Sequence, residues 1–496
     1  MLHYPPLSRF YMNKIKEFLF ENRTIRQTVA KNTFWLFGGE ISSRLLRAAI
    51  VIYAARVLGA EGWGVFSYAI TLAAFFTIFS DIGLSALLTR EAAKNPAMRE
   101  KYLSTAFFIK LILLLFSVGL IILIAPMFTK IEAVKALLPI IALILVFDGL
   151  REFGFSLNRA LEKMEWEALV KILTNFSVAA LGFIFLIIST TAKSLAIAYT
   201  IGSATGFLAI IWVLRPYFRN LFSNFTKNLL WPIFSSAWPF ALLGFLGAIM
   251  INTDIIMLGW FRTSQEVGFY SASQRPIQFF YIIPTLLATA IFPTFARLAK
   301  KDNQKFRQVL EKSLTLVLLL GIPLVFGGVI LGKEIILLLF GSQYLSSVIA
   351  FQTLLITILI IFPSALIGNA IFAYDEQKKF IGFLALGALG NVALNYFLIP
   401  RFGIEGAAAA TVGAQLLANG FVWFKMKKIN YFSVFPYLKK ILLATAIMAI
   451  IVFILRYLGV NLFINLIASM TIYFGLLIIL KESILKEIRS IINVIR

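Results

Sequence analysis

The 496-residue chain is 60% hydrophobic and only 14% charged, with a mean hydropathy of +0.89. A soluble domain carries about 25% charged residues, so no arrangement of soluble domains covers this much apolar surface. The charge is also lopsided, 46 Lys and Arg against 23 Asp and Glu for a formal +23; a basic balance suits nucleic acid or an anionic membrane surface, and the long apolar runs decide for the membrane.

Residues 1–32 read as a cytoplasmic, interfacial amphipathic arm. Arg9, Lys14, Lys16, Glu17, Glu21, Arg23 and Arg26 interrupt any apolar core a secretory signal would need, and no small-residue cleavage site follows. Ile15, Phe18, Leu19, Ile25 and Val29 supply the apolar face. Beyond the arm, fourteen runs reach the roughly 20 apolar residues of a bilayer crossing. Six of them, near 33–56, 63–89, 103–127, 136–157, 166–189 and 194–214, predict a first bundle over 33–215. A cytoplasmic linker at 216–231 leads to six more, near 232–260, 267–296, 313–331, 344–373, 380–399 and 404–424, in a second bundle over 232–425. Two further spans, near 437–456 and 461–480, occupy 426–480, and a basic cytoplasmic tail fills 481–496. The fold class is therefore all-α, a polytopic membrane protein of about 14 transmembrane helices with no extramembrane domain.

Alternating the connections between two sides places Lys and Arg in a ratio of roughly four to one in favour of the side that holds both termini, which the positive-inside rule makes cytoplasmic. The expected location is the plasma (inner) membrane, crossed many times, with both ends in the cytoplasm. An internal repeat is also legible. Leu58-Gly59 followed by Gly64-Val-Phe-Ser-Tyr-Ala69 is echoed by Leu258-Gly259 and Gly268-Phe-Tyr-Ser-Ala-Ser273, and Ala198-Tyr-Thr-Ile-Gly-Ser203 by Ala409-Ala-Thr-Val-Gly-Ala414. Spans 1–6 would thus repeat as spans 7–12, a parallel repeat with a substrate path between the halves.

Ionisable residues inside a span are costly and point to function or to a partner. Glu40, Arg44 and Arg47 share one face of the first span at i, i+4 and i+7. The bland reading is a Glu40–Arg44 pair, which still leaves Arg47 to be matched. Arg275 stands before Pro276 in the eighth span, where a proline marks a bend beside a cavity. Lys110 either joins these or snorkels to the cytoplasmic surface. Arginine offers the planar, paired donors that suit phosphate, so Arg44, Arg47 and Arg275, with Lys110, are the candidate contacts to an anionic, diphosphate-bearing substrate. Asp254 lacks a local cation and is a candidate proton or sodium site, or the counter-ion of an arginine; Asp81 and Glu40 are further candidates for ion coupling. Asp148 has Arg151 at i+3 and is read as a local pair. Asn252, Asn369, Asn391 and Asn395 would line a polar, sugar-tolerant cavity, though amides also join helices to one another. With no cysteine and one histidine, His3, thiol chemistry and histidine-based metal sites or general bases inside the protein are excluded. No Walker A motif and no catalytic Asp-x-Asp pair occur, and no cofactor is implied beyond Na+ or H+ coupling.

Several stretches are similar to a known family. Tyr53-Ala-Ala-Arg56-Val-Leu-Gly59-Ala-Glu61-Gly62-Trp-Gly64-Val-Phe-Ser-Tyr68, Asp81-Ile-Gly-Leu84 with Thr89-Arg90-Glu91, Asp254-Ile-Ile-Met-Leu-Gly259 with Glu266-Val-Gly-Phe-Tyr270, and Asn395-Tyr-Phe-Leu-Ile-Pro400-Arg-Phe-Gly403-Ile-Glu-Gly406 resemble the polysaccharide (Wzx-type) flippases. These belong to the multidrug/oligosaccharidyl-lipid/polysaccharide exporter superfamily. The resemblance covers about residues 30–425 and implies two six-helix bundles, alternating access and an undecaprenyl-diphosphate-linked oligosaccharide as cargo. It also implies membrane lipids and polysaccharide polymerase or ligase machinery as partners, no nucleic acid, no enzymatic reaction and a monomer. Ser43-Arg44 is similar to the Ser-Arg of lipid II flippases, but the next arginine follows after three residues rather than six. The alternatives are a MATE-like cation-coupled drug exporter and a membrane glycan ligase or polymerase. The drug exporter would favour an acidic interior, and the ligase or polymerase lacks its catalytic constellation.

Overall fold

The computed structural model describes residues 19–22, 24–376 and 378–482. His3, most of the amphipathic arm and nearly all of the basic tail lie outside the described residues. The described part is all-α: it holds fifteen α-helices and no strand. In chain order these are α1 (Ile25–Phe76), α2 (Leu84–Lys94), α3 (Arg99–Gly119), α4 (Glu132–Ala160), α5 (Met164–Ile188), α6 (Ala192–Phe218), α7 (Leu230–Phe261) and α8 (Ser264–Phe280). They continue with α9 (Ile282–Leu298), α10 (Asn303–Ile330), α11 (Gly332–Phe340), α12 (Val348–Ala373), α13 (Lys378–Ile429), α14 (Phe435–Tyr457) and α15 (Leu462–Ile479).

Twelve helical segments among the described residues are long and apolar enough to cross a membrane, where the sequence predicts fourteen runs. The difference lies in Gln27–Ser80 and Gly382–Ile429, of 54 and 48 residues, each more than twice the roughly 20 residues of one crossing. Each is interrupted by a glycine outside helical geometry: Gly59 at φ 68° in α1 and Gly403 at φ 55° in α13. Positive φ is open to glycine at no steric cost. Gly59 lies between the runs 33–56 and 63–89, and Gly403 between 380–399 and 404–424.

The chain divides into two compact units, one reaching to Leu58 and resuming over Val65–Ala248, the other made of Gly59–Gly64 and the chain from Ile249. In the first unit Leu84, Leu88, Leu103, Phe153, Phe155 and Ile210 belong to one buried core cluster. Helix starts follow local chemistry: Thr24 caps α1 through its hydroxyl, and Thr263 with Glu266 forms a reciprocal capping box on α8. In the second unit the first pair of echoed motifs meets directly. A Cβ on Gly64 would stand 1.7 Å from the Ser264 carbonyl oxygen, and one on Gly268 1.9 Å from that of Ala60. Ala60/Gly64 and Ser264/Gly268 are thus small residues four apart that let two backbones touch, the rule for close crossings in membranes.

Candidate functional site

The first unit builds a cationic cluster between α1 and α5. The helices come close where Gly39 faces Ala168; a Cβ on Gly39 would lie 2.7 Å from the Ala168 Cβ. At the next residue of α1, Glu40 receives Arg44 Nε on one carboxylate oxygen at 2.7 Å and Lys171 Nζ on the other at 2.8 Å. Arg47 has no carboxylate to itself. Its Nε and Nη2 donate to Asn175 Oδ1 at 3.2 and 3.1 Å, and Asn175 Nδ2 donates back to the Lys171 carbonyl at 2.8 Å. Among the described residues, two cations thus share one acid and a third lies on the amide beside them. Glu40, Arg44 and Lys171 keep about a third of their side-chain surface open, at 30%, 37% and 29%. A basic residue at the centre of a span costs about 2.5–3.5 kcal/mol on insertion scales. Such a gathering of cations is poorly explained by stability and suits an anionic ligand.

Lys171 is a component that the sequence reading missed. It lies near the end of its apolar run and is easily counted among loop cations; its spacing of i−4 from Asn175 is the signal that would place it on the same helix face.

Lys110, Asp81 and Asp148, the other in-span charges singled out in the first unit, are matched locally. Lys110 is 1% exposed and bonds Asp81 Oδ2 at 3.0 Å, while Ser85 donates to the same carboxylate through its hydroxyl and its amide. Lys110 is therefore held in an ion pair rather than snorkelling. Asp148 pairs with Arg151 at 2.7 Å across i, i+3, as that spacing predicts. Arg275 sits on α8 in the second unit, half-buried beside Pro276.

The second unit holds a different kind of site. Asp254 of α7 is 1% exposed and accepts four hydrogen bonds from neutral groups. Asn391 and Asn395 of α13 donate to Oδ1 at 2.9 and 2.7 Å; Tyr270 of α8 and Thr411 of α13 donate to Oδ2 at 2.8 and 2.7 Å. No Lys or Arg among the described residues forms an ion pair with it. A carboxylate removed from water without a cation is expensive even when hydrogen-bonded. The Asn395 Oδ1 is buried with no hydrogen-bond partner, a second oxygen awaiting a positive group. A cavity of about 70 Å³ reaches Asp254 and Thr411, with Gln274, Gln278, Tyr281 and Gln415 on its wall. Two of the facing groups are hydroxyls and two are amide N–H donors, and among the described residues no group of three His, Cys, Asp or Glu forms a multivalent-metal cage, so the acid suits a proton or a monovalent cation rather than a multivalent one. Asn391 and Asn395, expected to line a sugar-tolerant cavity, are instead buried and turned onto Asp254. Asn252 and Asn369 are half-buried on α7 and α12.

A multi-pass helical chain with a cationic cluster in one unit and a buried acid among neutral hydrogen-bond donors in the other has the make-up of a membrane transporter, and its fold agrees. It resembles the lipid II flippase MurJ in its inward closed conformation with a TM-score of 0.73 at 20% identity, over 92% of this chain and 99% of that one. It also resembles an inward-facing multidrug resistance MATE family transporter of the MOP superfamily, with a TM-score of 0.62 at 17% identity, over 78% of this chain and 95% of that one. The chain belongs to the polysaccharide biosynthesis protein family, whose model matches residues 29–299; a MatE model matches residues 239–397. It is similar to the capsular polysaccharide biosynthesis protein CapF of Staphylococcus aureus, 22% identical over 81% of this chain and all of that protein. It is also similar to the "Probable flippase AglR" of Haloferax volcanii, 27% identical over 77% of this chain and 80% of that protein.

Proposed function

We propose that the protein is a flippase that turns a polyprenyl-diphosphate-linked oligosaccharide from the cytoplasmic to the outer leaflet of the inner membrane by alternating access, in the service of cell-surface polysaccharide biosynthesis. The observation that carries this reading is the gathering of Arg44, Arg47 and Lys171 about Glu40 and Asn175. Arg44, Arg47 and Lys171 present charge-assisted donors to a diphosphate, while a prenyl tail stays in the bilayer and no covalent bond changes. Arg275, in the second unit, is tested alongside as a substrate contact of its own. Both termini are placed in the cytoplasm by the distribution of Lys and Arg, the cargo is taken as undecaprenyl-linked, and the working unit as a monomer.

Asp254, with Asn391, Asn395, Thr411 and Tyr270, is assigned to coupling: a proton or Na+ would satisfy the buried carboxylate and the idle Asn395 oxygen together.

The test is flipping of a fluorescent prenyl-diphosphate sugar by purified protein in liposomes. Each lost charged hydrogen bond is worth about 1.5–3 kcal/mol, so the triple variant Arg44→Ala, Arg47→Ala, Arg275→Ala is expected to fall by well over a hundred-fold. Undiminished flipping overturns the assignment. The match of residues 239–397 to the MatE model favours one second reading, a cation-coupled drug exporter, which predicts transport of a cationic dye by the same vesicles.

A further inference from the structure

The first unit contains a second cavity, of about 240 Å³, that shares no residue with the cluster on Glu40. It lies where the turn between α4 and α5 meets the end of α6, and Asn158, Lys163, Trp166, Trp212, Arg215 and Tyr217 are on its wall. No Asp or Glu lines it, and neither Lys163 nor Arg215 forms an ion pair among the described residues. Arg215 instead lies over the Trp212 ring, 5.5 Å from its centre.

The turn that presents Lys163 is firmly built. Lys163 N donates to the Asn158 carbonyl and Glu162 N to that of Arg159, with Glu162 left-handed at φ 57°, the pattern of a Schellman stop. The Glu162 carbonyl is held in turn by the buried Lys31 ammonium, itself paired with Glu165 at 2.9 Å. Asn158 is 0% exposed, yet both of its amide atoms lack a hydrogen-bond partner. A buried amide left unsatisfied costs about as much as a lost hydrogen bond and calls for an explanation; a ligand in this cavity supplies one.

Two apolar tracks lead away from the cavity along α5 and α6. On α5, Trp166 is followed by the exposed Leu169, Leu173 and Phe176; on α6, Arg215 is preceded by the exposed Trp212, Ile211, Leu208 and Ile201. Tryptophan and tyrosine rings with basic residues at the end of such tracks mark the level of lipid headgroups, and basic pockets between spans take anionic ones.

We propose that this cavity binds the phosphate headgroup of an anionic phospholipid, with Lys163 and Arg215 on the phosphate, the Asn158 amide on the headgroup, and the acyl chains along the α5 and α6 tracks. The tracks favour a lipid over free phosphate, which shares the same headgroup chemistry. The inference is independent of the identity of any transported glycan.

The full-length protein is purified from nanodiscs of phosphatidylcholine containing a minor share of phosphatidylglycerol, and retained lipid is counted by native mass spectrometry. Wild type is expected to keep phosphatidylglycerol selectively. One basic residue at an anionic surface changes affinity by roughly five-fold, so Lys163→Gln with Arg215→Gln should weaken retention about thirty-fold. Both side chains are exposed, so the variant should fold, and Lys163→Arg with Arg215→Lys should restore binding. A second arm offers glycerol 3-phosphate without acyl chains. Equal retention by the charge-removed variant, equal retention of phosphatidylcholine, or displacement of the lipid by glycerol 3-phosphate at matched concentration would each overturn the proposal.

Discussion

Replacing Gly64 or Gly268 by alanine tests the crossing where the echoed motifs meet. The added Cβ would stand 1.7 Å from the Ser264 carbonyl oxygen in one case and 1.9 Å from that of Ala60 in the other, against an ordinary contact of 3.4 Å or more. The two segments would have to part by about 1.5 Å, and since the obstacle is backbone, no change of rotamer relieves it. Overpacking a close-fitted site costs about 1–3 kcal/mol, and a backbone obstacle puts each single variant near 3 kcal/mol. One separation of the segments frees both glycines. The double variant should therefore lose clearly less than the sum of the singles, whereas independent sites add to within about 0.5 kcal/mol. Denaturant unfolding of the wild type, both singles and the double in one detergent, followed by tryptophan fluorescence, gives the cycle. Single variants as stable as wild type would refute the contact itself, and strict additivity would refute the shared displacement.

Three further outcomes follow from named contacts. Lys110→Met strands Asp81; breaking a fully buried pair costs about 3–5 kcal/mol, and since Asp81 keeps 32% of its side chain open a loss of about 2 kcal/mol is expected, largely recovered on adding Asp81→Asn, in the same unfolding assay. Asp254→Asn should fold but flip substrate without dependence on an imposed Na+ or proton gradient; an unchanged dependence would remove Asp254 from coupling. Asp302 caps α10 outside the spans and accepts the Lys305 amide at 2.9 Å, which holds its carboxyl below the usual range. A lowered folded value means that its contribution is present above the unfolded value near 4 and lost as pH falls through the folded one. The small difference in melting temperature between wild type and Asp302→Ala at pH 7 should accordingly vanish in acid.

The spans were legible because a bilayer imposes length and composition on any helix that crosses it, and Gly59 and Gly403 fall in the gaps between the runs read from the sequence; the backbone geometry of those two glycines was not legible. Gly59 and Gly403 stand in conspicuous motifs, yet hydropathy carries no information about φ. The four donors to Asp254 were equally out of reach. Tyr270, Asn391 and Thr411 lie 16, 137 and 157 residues from it in the chain, and contacts between helices leave no local spacing to read. The i, i+4 pair of Asn391 and Asn395 signals a polar helix face without saying what that face meets.

The Glu40 cluster shows why such losses matter for function. Read along one helix, Glu40 and Arg44 form a neutral pair, and the span looks nearly balanced. Folding brings Lys171 to the second oxygen of the same carboxylate and leaves Arg47 on a neutral amide. The acid that seemed to cancel a cation is shared by two, with a third beside them. The net charge of this region is a property of α1 and α5 together: α1 alone leaves one cation over, and Lys171 of α5 adds another. If the surplus serves an anionic ligand, Lys171→Gln should weaken substrate engagement as Arg47→Gln does, even though Lys171 is the residue that sequence spacing assigned to topology.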